Sequence, residues 1–216
     1  MNWRLIRSVP WLDTRASFVS QTPHGGALLD LGSSDGETLR HFYELRPDLK
    51  FHAVDIQGRP EAYPKGCDFR RANLQKDSLP WPDASMDAVT CMHLVEHLSD
   101  LTMLLHEVSR LLKPGAKAYF ETPHPKTTTL PSARGAFTFN FYDDPTHTHP
   151  VPIDDLSRKA SSAGLRLCMA GTSRNWLFAA AWPIFALMPH SRQKFTSRVH
   201  WIGWSACGVF IKPNEA

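Results

Sequence analysis

The chain has few cysteines and no pair of them at metal-binding or redox spacing. Cys67, Cys91, Cys168 and Cys207 lie far apart without a CxxC, and such a pattern predicts reduced, mostly buried residues of a cytoplasmic protein. No apolar run reaches the roughly 18 residues that a transmembrane helix needs. Residues 1–12 carry Arg4 and Arg7 but no apolar core, so no secretory signal is expected there. A dense basic run is also missing. The 24 lysines and arginines are dispersed and the net charge is only +3, which predicts no nucleic-acid partner. What remains is 216 residues, 42% hydrophobic and 21% charged, enough apolar material for one globular domain with a full core.

The run Ala27–Leu31 has the length and character of a buried parallel strand. Gly32-Ser33-Ser34-Asp35-Gly36 follows as a tight loop, and residues 37–43 read as a helix with Leu39, Phe42 and Tyr43 at helical spacing. This is the first third of a nucleotide-binding βαβ unit, since glycines let the backbone approach a ligand and a helix start offers free N–H groups. A dinucleotide fingerprint counted from Gly32 needs glycines where the chain has Ser34 and Glu37, and Asp35 and Glu37 would repel a pyrophosphate. No Gly-Lys-Ser/Thr follows, so a P-loop is excluded. A second strand over residues 51–55 ends in Asp55, about 20 residues past the glycines, where a carboxylate accepts hydrogen bonds from ribose hydroxyls. That acid marks a nucleoside without saying which cofactor carries it.

Further motifs follow in order. Residues 67–74 form a weak third strand ending near Asn73, then comes Leu79-Pro80-Trp81-Pro82-Asp83-Ala84-Ser85-Met86-Asp87-Ala88-Val89, with a fourth strand at residues 86–91. Glu96-His97-Leu98 leads into a helix capped by Ser99 or Asp100, with Leu101, Leu104, Leu105, Val108, Leu111 and Leu112 on its apolar faces. Glu107-Val108-Ser109-Arg110-Leu111-Leu112-Lys113-Pro114-Gly115 precedes a fifth strand at residues 116–121. Over residues 27–125 this succession resembles the type 11-like class I S-adenosylmethionine (SAM) methyltransferases. The first loop is similar to their motif I, acidic-x-Gly-x-Gly-x-Gly, at Asp30, Gly32 and Gly36. Ser34 replaces the middle glycine, which requires that residue 34 not need a positive φ.

The resemblance implies an α/β, Rossmann-like, seven-stranded mixed sheet of order 3-2-1-4-5-7-6 with helices on both faces. It implies SAM as cofactor and S-adenosylhomocysteine as product, held by Asp30, Gly32, Ser33, Ser34, Gly36, Asp55, Ile56, Asn73, Leu74 and His93. Asn73 stands where the family has an acid toward the adenine amino group, and its amide can pair with an adenine edge. The expected activity is methyl transfer to a small acceptor, an oxygen of a natural product, sugar or lipid-linked substrate. A non-catalytic SAM-binding subunit of a larger complex is the alternative, kept open by Ser34 and Asn73. An NAD-dependent oxidoreductase is disfavoured by Ser34 and Glu37.

The expected layout is one domain over 1–216, with an N-terminal helical cap at about 1–24 and an apolar insert at about 174–198. Trp3, Leu5, Ile6, Trp11, Leu12, Phe18 and Val19 suggest short helices broken at Pro10, either covering the pocket or packed on the sheet. Residues 126–135 read as flexible, residues 153–164 as a helix, residues 165–169 as the sixth strand and residues 200–211 as the seventh. His124, His147 and His149 lie where they could converge at the sheet's carboxyl edge. His147, then His124, are the candidates for a general base, with a metal site through His147 and His149 and a purely structural role as alternatives. Residues 176–189 are almost wholly apolar, interrupted by Pro183 and flanked by Arg174, Arg192, Lys194 and Arg198. They read as a buried helix or an oligomer face, or as a peripheral membrane or lipid-linked substrate contact.

Overall fold

Alternation along the central strands divides the molecule. In the computed structural model, which describes residue 6 and residues 8–132 and 138–214, Leu28 and Ala53 face one apolar core while Leu29, Leu31 and Val54 face another. Successive side chains of a strand point to opposite faces, so the apolar runs are buried on both sides. One sheet results, in the order β3-β2-β1-β4-β5-β7-β6. Its strands are β1 (Ala27–Leu31), β2 (Lys50–Asp55), β3 (Asp68–Arg71), β4 (Met86–Met92), β5 (Leu112–Pro123), β6 (Arg166–Ser173) and β7 (Ser205–Ile211). The first five run parallel, and β7 pairs antiparallel with β5 and β6.

Among the described residues there are six α-helices. They are α1 (Thr14–Ser20), α2 (Glu37–Leu45), α3 (Thr102–Leu111), α4 (Ile153–Ser162), α5 (Trp176–Phe185) and α6 (Arg192–Ile202). Ala16, Phe18 and Val19 of α1 and Leu39, Phe42 and Leu45 of α2 cover one face. Leu104, Leu105, Val108 and Leu111 of α3 and Ile153, Leu156 and Ala160 of α4 cover the other. Tyr43 is largely exposed, so α2 buries a narrower stripe than its sequence suggests.

Several boundaries differ from expectation for local reasons. The start of α3 falls after Leu101, with Asp100 accepting hydrogen bonds from the Thr102 backbone and hydroxyl; Ser99 does not cap it. The fifth and sixth strands run longer than their sequence patterns: β7 pairs with Thr122 and Pro123 and with β6 as far as Ser173, and Met86 of β4 pairs with Leu112 at the start of β5. Residues 200–202 belong to α6, not to the seventh strand. The Ser191 hydroxyl caps this helix and Gly203 ends it at φ +65°, where a Cβ would lie 2.5 Å from the Thr172 methyl. Aromatic Trp201 imitates a strand residue but is half exposed on the helix.

Cys91 and Cys207 are buried, but Cys168 is exposed on edge strand β6, and all four thiols are free. Residues 125–129 form a turn of 3-10 helix where flexibility was expected. Trp3, Arg4, Leu5 and Arg7 of the expected N-terminal cap, with Phe137 and residues 133–135, lie outside the described residues.

Of the readings of residues 176–189, the buried helix is overturned. Among the described residues no member of α5 or α6 joins either apolar core, and only Ala179 of α5 is buried. Pro183 sits inside α5 near its end, two residues before Phe185. No described helix is long and apolar enough to cross a membrane.

Candidate active site

The β1–α2 loop is held by bonds from residues far along the chain. Ser34 adopts φ +47°, so residue 34 does take the left-handed conformation that its side chain was expected to exclude. An L-residue there costs roughly 1–2 kcal/mol. Two tertiary bonds hold it: the Ser34 N–H donates to Asp55 Oδ2 at 2.8 Å, and the Tyr63 hydroxyl donates to the Ser34 carbonyl at 2.9 Å. Tyr63 also pairs with the Ser33 hydroxyl at 2.9 Å and stacks on Phe69. Gly36, at φ +73°, must remain glycine, because a Cβ would lie 2.8 Å from the Tyr63 ring.

Asp55 is half-buried and accepts one backbone N–H on each oxygen, from Ser34 and Gln57. Each oxygen keeps a second lone pair for a ribose hydroxyl. Ile56, beside it, is 57% exposed, an apolar face that an adenine ring would cover. Leu74 is buried and Asn73 half-buried, with the Asn73 Oδ1 accepting from the Gln75 N–H. Asp30 is buried beneath the loop and accepts from the Thr90 hydroxyl at 2.7 Å. Burial pushes its carboxyl up to about 7, against the lowering pull of Thr90 and Arg15. These residues fit an adenosine.

A second constellation lies at the ends of β4 and β5. Glu121, 1% exposed, takes a bidentate hydrogen bond from Arg15 of α1, at 2.8 Å from Nε and 2.5 Å from Nη2, and a third from the Tyr119 hydroxyl at 2.8 Å. Burial opposes its charge, but Arg15 and His93 hold its carboxyl well below the usual range. His93 bridges Glu121 at 3.0 Å and Glu96 at 3.2 Å, on a backbone at φ +52°. Burial disfavours its cation, yet the two carboxylates outweigh that and raise it to about 9. Glu121 ends the strand expected over residues 116–121 with an acid, as Asp55 ends β2, a signal the sequence reading did not use, and β5 itself runs on to Pro123. Arg15 and Tyr63 carried no such signal.

Among the described residues, the group of possible metal ligands that contains His147 includes neither His124 nor His149. The His124 Nδ1 accepts from the Lys126 N–H, and the His149 Nδ1 contacts the Thr148 hydroxyl. His147 packs against Phe141 and His97, with ring centroids 4.5 Å and 4.8 Å away. Its segment is pinned to the short turn Val95–His97 by Thr148, whose N–H and hydroxyl donate to the Glu96 carbonyl at 2.8 Å and 2.9 Å.

A cavity of about 490 Å³ lies between α1, the start of α2, the end of β6 and helices α5 and α6. Asp13, Arg15, Glu37, His41, Asn175 and His200 line it, and none of the expected cofactor or catalytic residues does. Glu37 and Thr38 join it to the β1–α2 loop. The His200 Nδ1 accepts from the Asn175 N–H, and burial lowers the ring to about 4. On α5 and just beyond it, Ile184 and Leu187 are 69% and 90% exposed, and neither lines the cavity. The basic flank has partners within the chain, although Arg192 and Arg198 are exposed. Lys194 donates to the Ala186 and Met188 carbonyls, Arg198 lies over the Phe139 ring, and Arg192 approaches Glu37 at 3.7 Å.

A family model described as a methyltransferase domain matches residues 4–168. A ubiquinone biosynthesis O-methyltransferase of Pseudoalteromonas translucida is 34% identical over 97 residues, 43% of this chain and 41% of that relative. Matches to other curated relatives at comparable identity span 36–37% of their length, so the chain covers less than half of these proteins. Among solved structures, an S-adenosylmethionine-dependent methyltransferase from Mesorhizobium loti superposes with a TM-score of 0.66 at 17% identity, over 95% of this chain and 97% of that one. A chain from the Haloferax volcanii complex of the Trm112 methyltransferase activator with a methyltransferase gives 0.66 at 16%, over 98% and 94%.

Proposed function

The chain belongs to the class I SAM-dependent methyltransferases, and from that premise we propose that it moves the SAM methyl group to an oxygen of a small apolar acceptor held beneath α5 and α6. The observation that carries this reading is the cavity of about 490 Å³ that starts at the first turn of α2 and is bordered by α5 and α6, two helices that also expose apolar side chains such as Ile184 and Trp201. Relatives described as ubiquinone biosynthesis O-methyltransferases support oxygen as the methylated atom.

Asp55, Ser33, Ser34, Ile56, Asn73 and Leu74 would hold the adenosine, with Asp30 beneath the glycines Gly32 and Gly36 and His93 toward the reacting end. When bound, SAM supplies an electrophilic methyl on a sulfonium. The chain's share is alignment and water exclusion. His200 and His41 line the acceptor cavity, while His147 and His124 remain the sequence's candidates for taking the acceptor proton.

Calorimetry tests the cofactor assignment. SAM and S-adenosylhomocysteine bind and NAD does not, and Asp55→Ala weakens SAM binding by about 1–3 kcal/mol. NAD bound and SAM ignored would overturn it. Incubation with methyl-labelled SAM and a fractionated extract tests the acceptor: label enters organic-soluble material, and label confined to water-soluble products sinks the apolar reading.

One observation favours a second reading, a SAM-binding subunit active only in a complex. Edge strand β6 is exposed along most of its length, and a solved neighbour comes from a complex with an activator protein. Copurification of a stoichiometric partner that is required for SAM binding would favour it.

A further inference from the structure

Glu96, His97 and His147 each offer a ligand atom within 4.8 Å of the other two. Glu96 is fully buried, and its Oε2 has no hydrogen-bond partner among the described residues. Leaving a buried carboxylate oxygen unpaired costs about 1–3 kcal/mol or more, so this atom is expected to meet a ligand.

Each imidazole keeps one ring nitrogen for a ligand. The His147 Nδ1 lies 2.6 Å from the Phe141 carbonyl, which only accepts, so Nδ1 carries the proton and Nε2 keeps its lone pair. Thr146 gives its hydroxyl proton to Asp144 Oδ1 at 2.6 Å, so it accepts from the His97 Nδ1–H at 2.9 Å, and the His97 Nε2 also stays free. A carbonyl behind one ring and a hydroxyl–carboxylate relay behind the other are the outer partners that metal-ligating histidines have. Asp144 Oδ2 adds a further carboxylate oxygen 4.0 Å from the His147 Nε2.

We propose that Glu96, His97 and His147 form a binding site for a divalent transition-metal ion, clamping the segment that holds His147 onto the end of β4. Two neutral imidazoles and one carboxylate suit zinc, manganese or iron(II). Three protein ligands leave a coordination position open, the arrangement of sites where the ion polarises an oxygen as well as bracing the fold. His149 plays no part. The His-x-His spacing points to the wrong partner, because Thr148 turns the chain onto the Glu96 carbonyl. The site stands independently of the acceptor assigned above.

The test is calorimetric titration of the full chain, stripped with chelator, with zinc chloride and with manganese chloride. One ion binds per chain at micromolar concentration or tighter. Glu96→Gln and His147→Ala each weaken binding by at least 100-fold, and His149→Ala leaves it unchanged. If the variants do not fold, the wild type loaded with cobalt(II) decides. Its proton NMR spectrum shows two exchangeable imidazole N–H resonances with hyperfine shifts, one from each Nδ1–H. No stoichiometric ion, unchanged affinity in Glu96→Gln, loss of binding in His149→Ala, or absence of the two shifted resonances overturns the site.

Discussion

The loop after β1 leads into α2, whose first turns border the 490 Å³ cavity together with the helical pair before β7, yet loop and helical pair are built in opposite ways. At the loop, Gly36 has the Tyr63 ring so close that a Cβ would sit 2.8 Å from it, and Ser34 is held at a strained φ by Asp55 and Tyr63. Across the cavity, α5 buries only Ala179, and Leu187 beyond its end is 90% exposed. The loop side spends packing and hydrogen bonds to fix a geometry. The helical side leaves apolar surface facing outward. Under the proposed function, that difference fits a fixed cofactor cradle at the loop and a less constrained acceptor side at the helices.

The largest expected effect lies in the tie between α1 and the end of β5. Arg15→Ala leaves the buried Glu121 without its main counter-charge, and breaking such a pair by removing one partner costs about 3–5 kcal/mol. Thermal unfolding should fall by roughly 10 °C, given about 2–4 °C per kcal/mol for a chain of this size. A change within a couple of degrees would show that the tie is dispensable, and the contrast would then not be one of stability.

Next in size is a pH effect beneath the loop. Burial raises the folded-state value of Asp30 to about 7 from an ordinary value near 3.8. A group raised on folding contributes stability fully below its unfolded value and loses it as pH rises through the folded one. Wild-type protein therefore loses stability between about pH 4 and 7 through this group. In Asp30→Asn that slope disappears, while an amide oxygen still accepts from Thr90. The unfolding free energy of the variant should gain on the wild type by on the order of 2–3 kcal/mol between pH 5 and pH 8, read by urea denaturation at each pH. Parallel pH profiles would mean that Asp30 is ionised in the fold.

How much of this was legible follows from how far each feature reaches along the chain. The strand Ala27–Leu31, the glycine loop, Asp55 and the run through Gly115 could be read because pattern and consequence lie within a few residues of each other. The conformation of Ser34 could not, because its strain is balanced by groups 21 and 29 residues away. Arg15 and Glu121 meet across 106 residues, and nothing near Arg15 announces it. The histidines were visible as chemistry but not as a set. His147 was paired by spacing with His149, whereas the fold gives it His97. At residues 176–189 hydropathy showed that something must cover the surface, and hydropathy alone does not distinguish core from cover.

The smallest expected effect is the sharpest check on the contrast, because burial predicts a large one. Fully buried leucine or isoleucine side chains contribute roughly 1.5–3 kcal/mol each, so a core helix would not survive three serines. Leu177, Ile184 and Leu187 are instead 37%, 69% and 90% exposed, and exposed positions change stability by about 0.5 kcal/mol or less. The triple variant Leu177→Ser, Ile184→Ser, Leu187→Ser should therefore unfold within a few degrees of the wild type and bind SAM with unchanged affinity. Its KM for an apolar acceptor should rise while kcat for a water-soluble analogue stays put, because only the cover has changed. A collapse in thermal stability, accompanied by a shift from dimer to monomer on gel filtration, would show these side chains buried against a second copy. The helical side would then be a tight interface, and the two regions would no longer differ in kind.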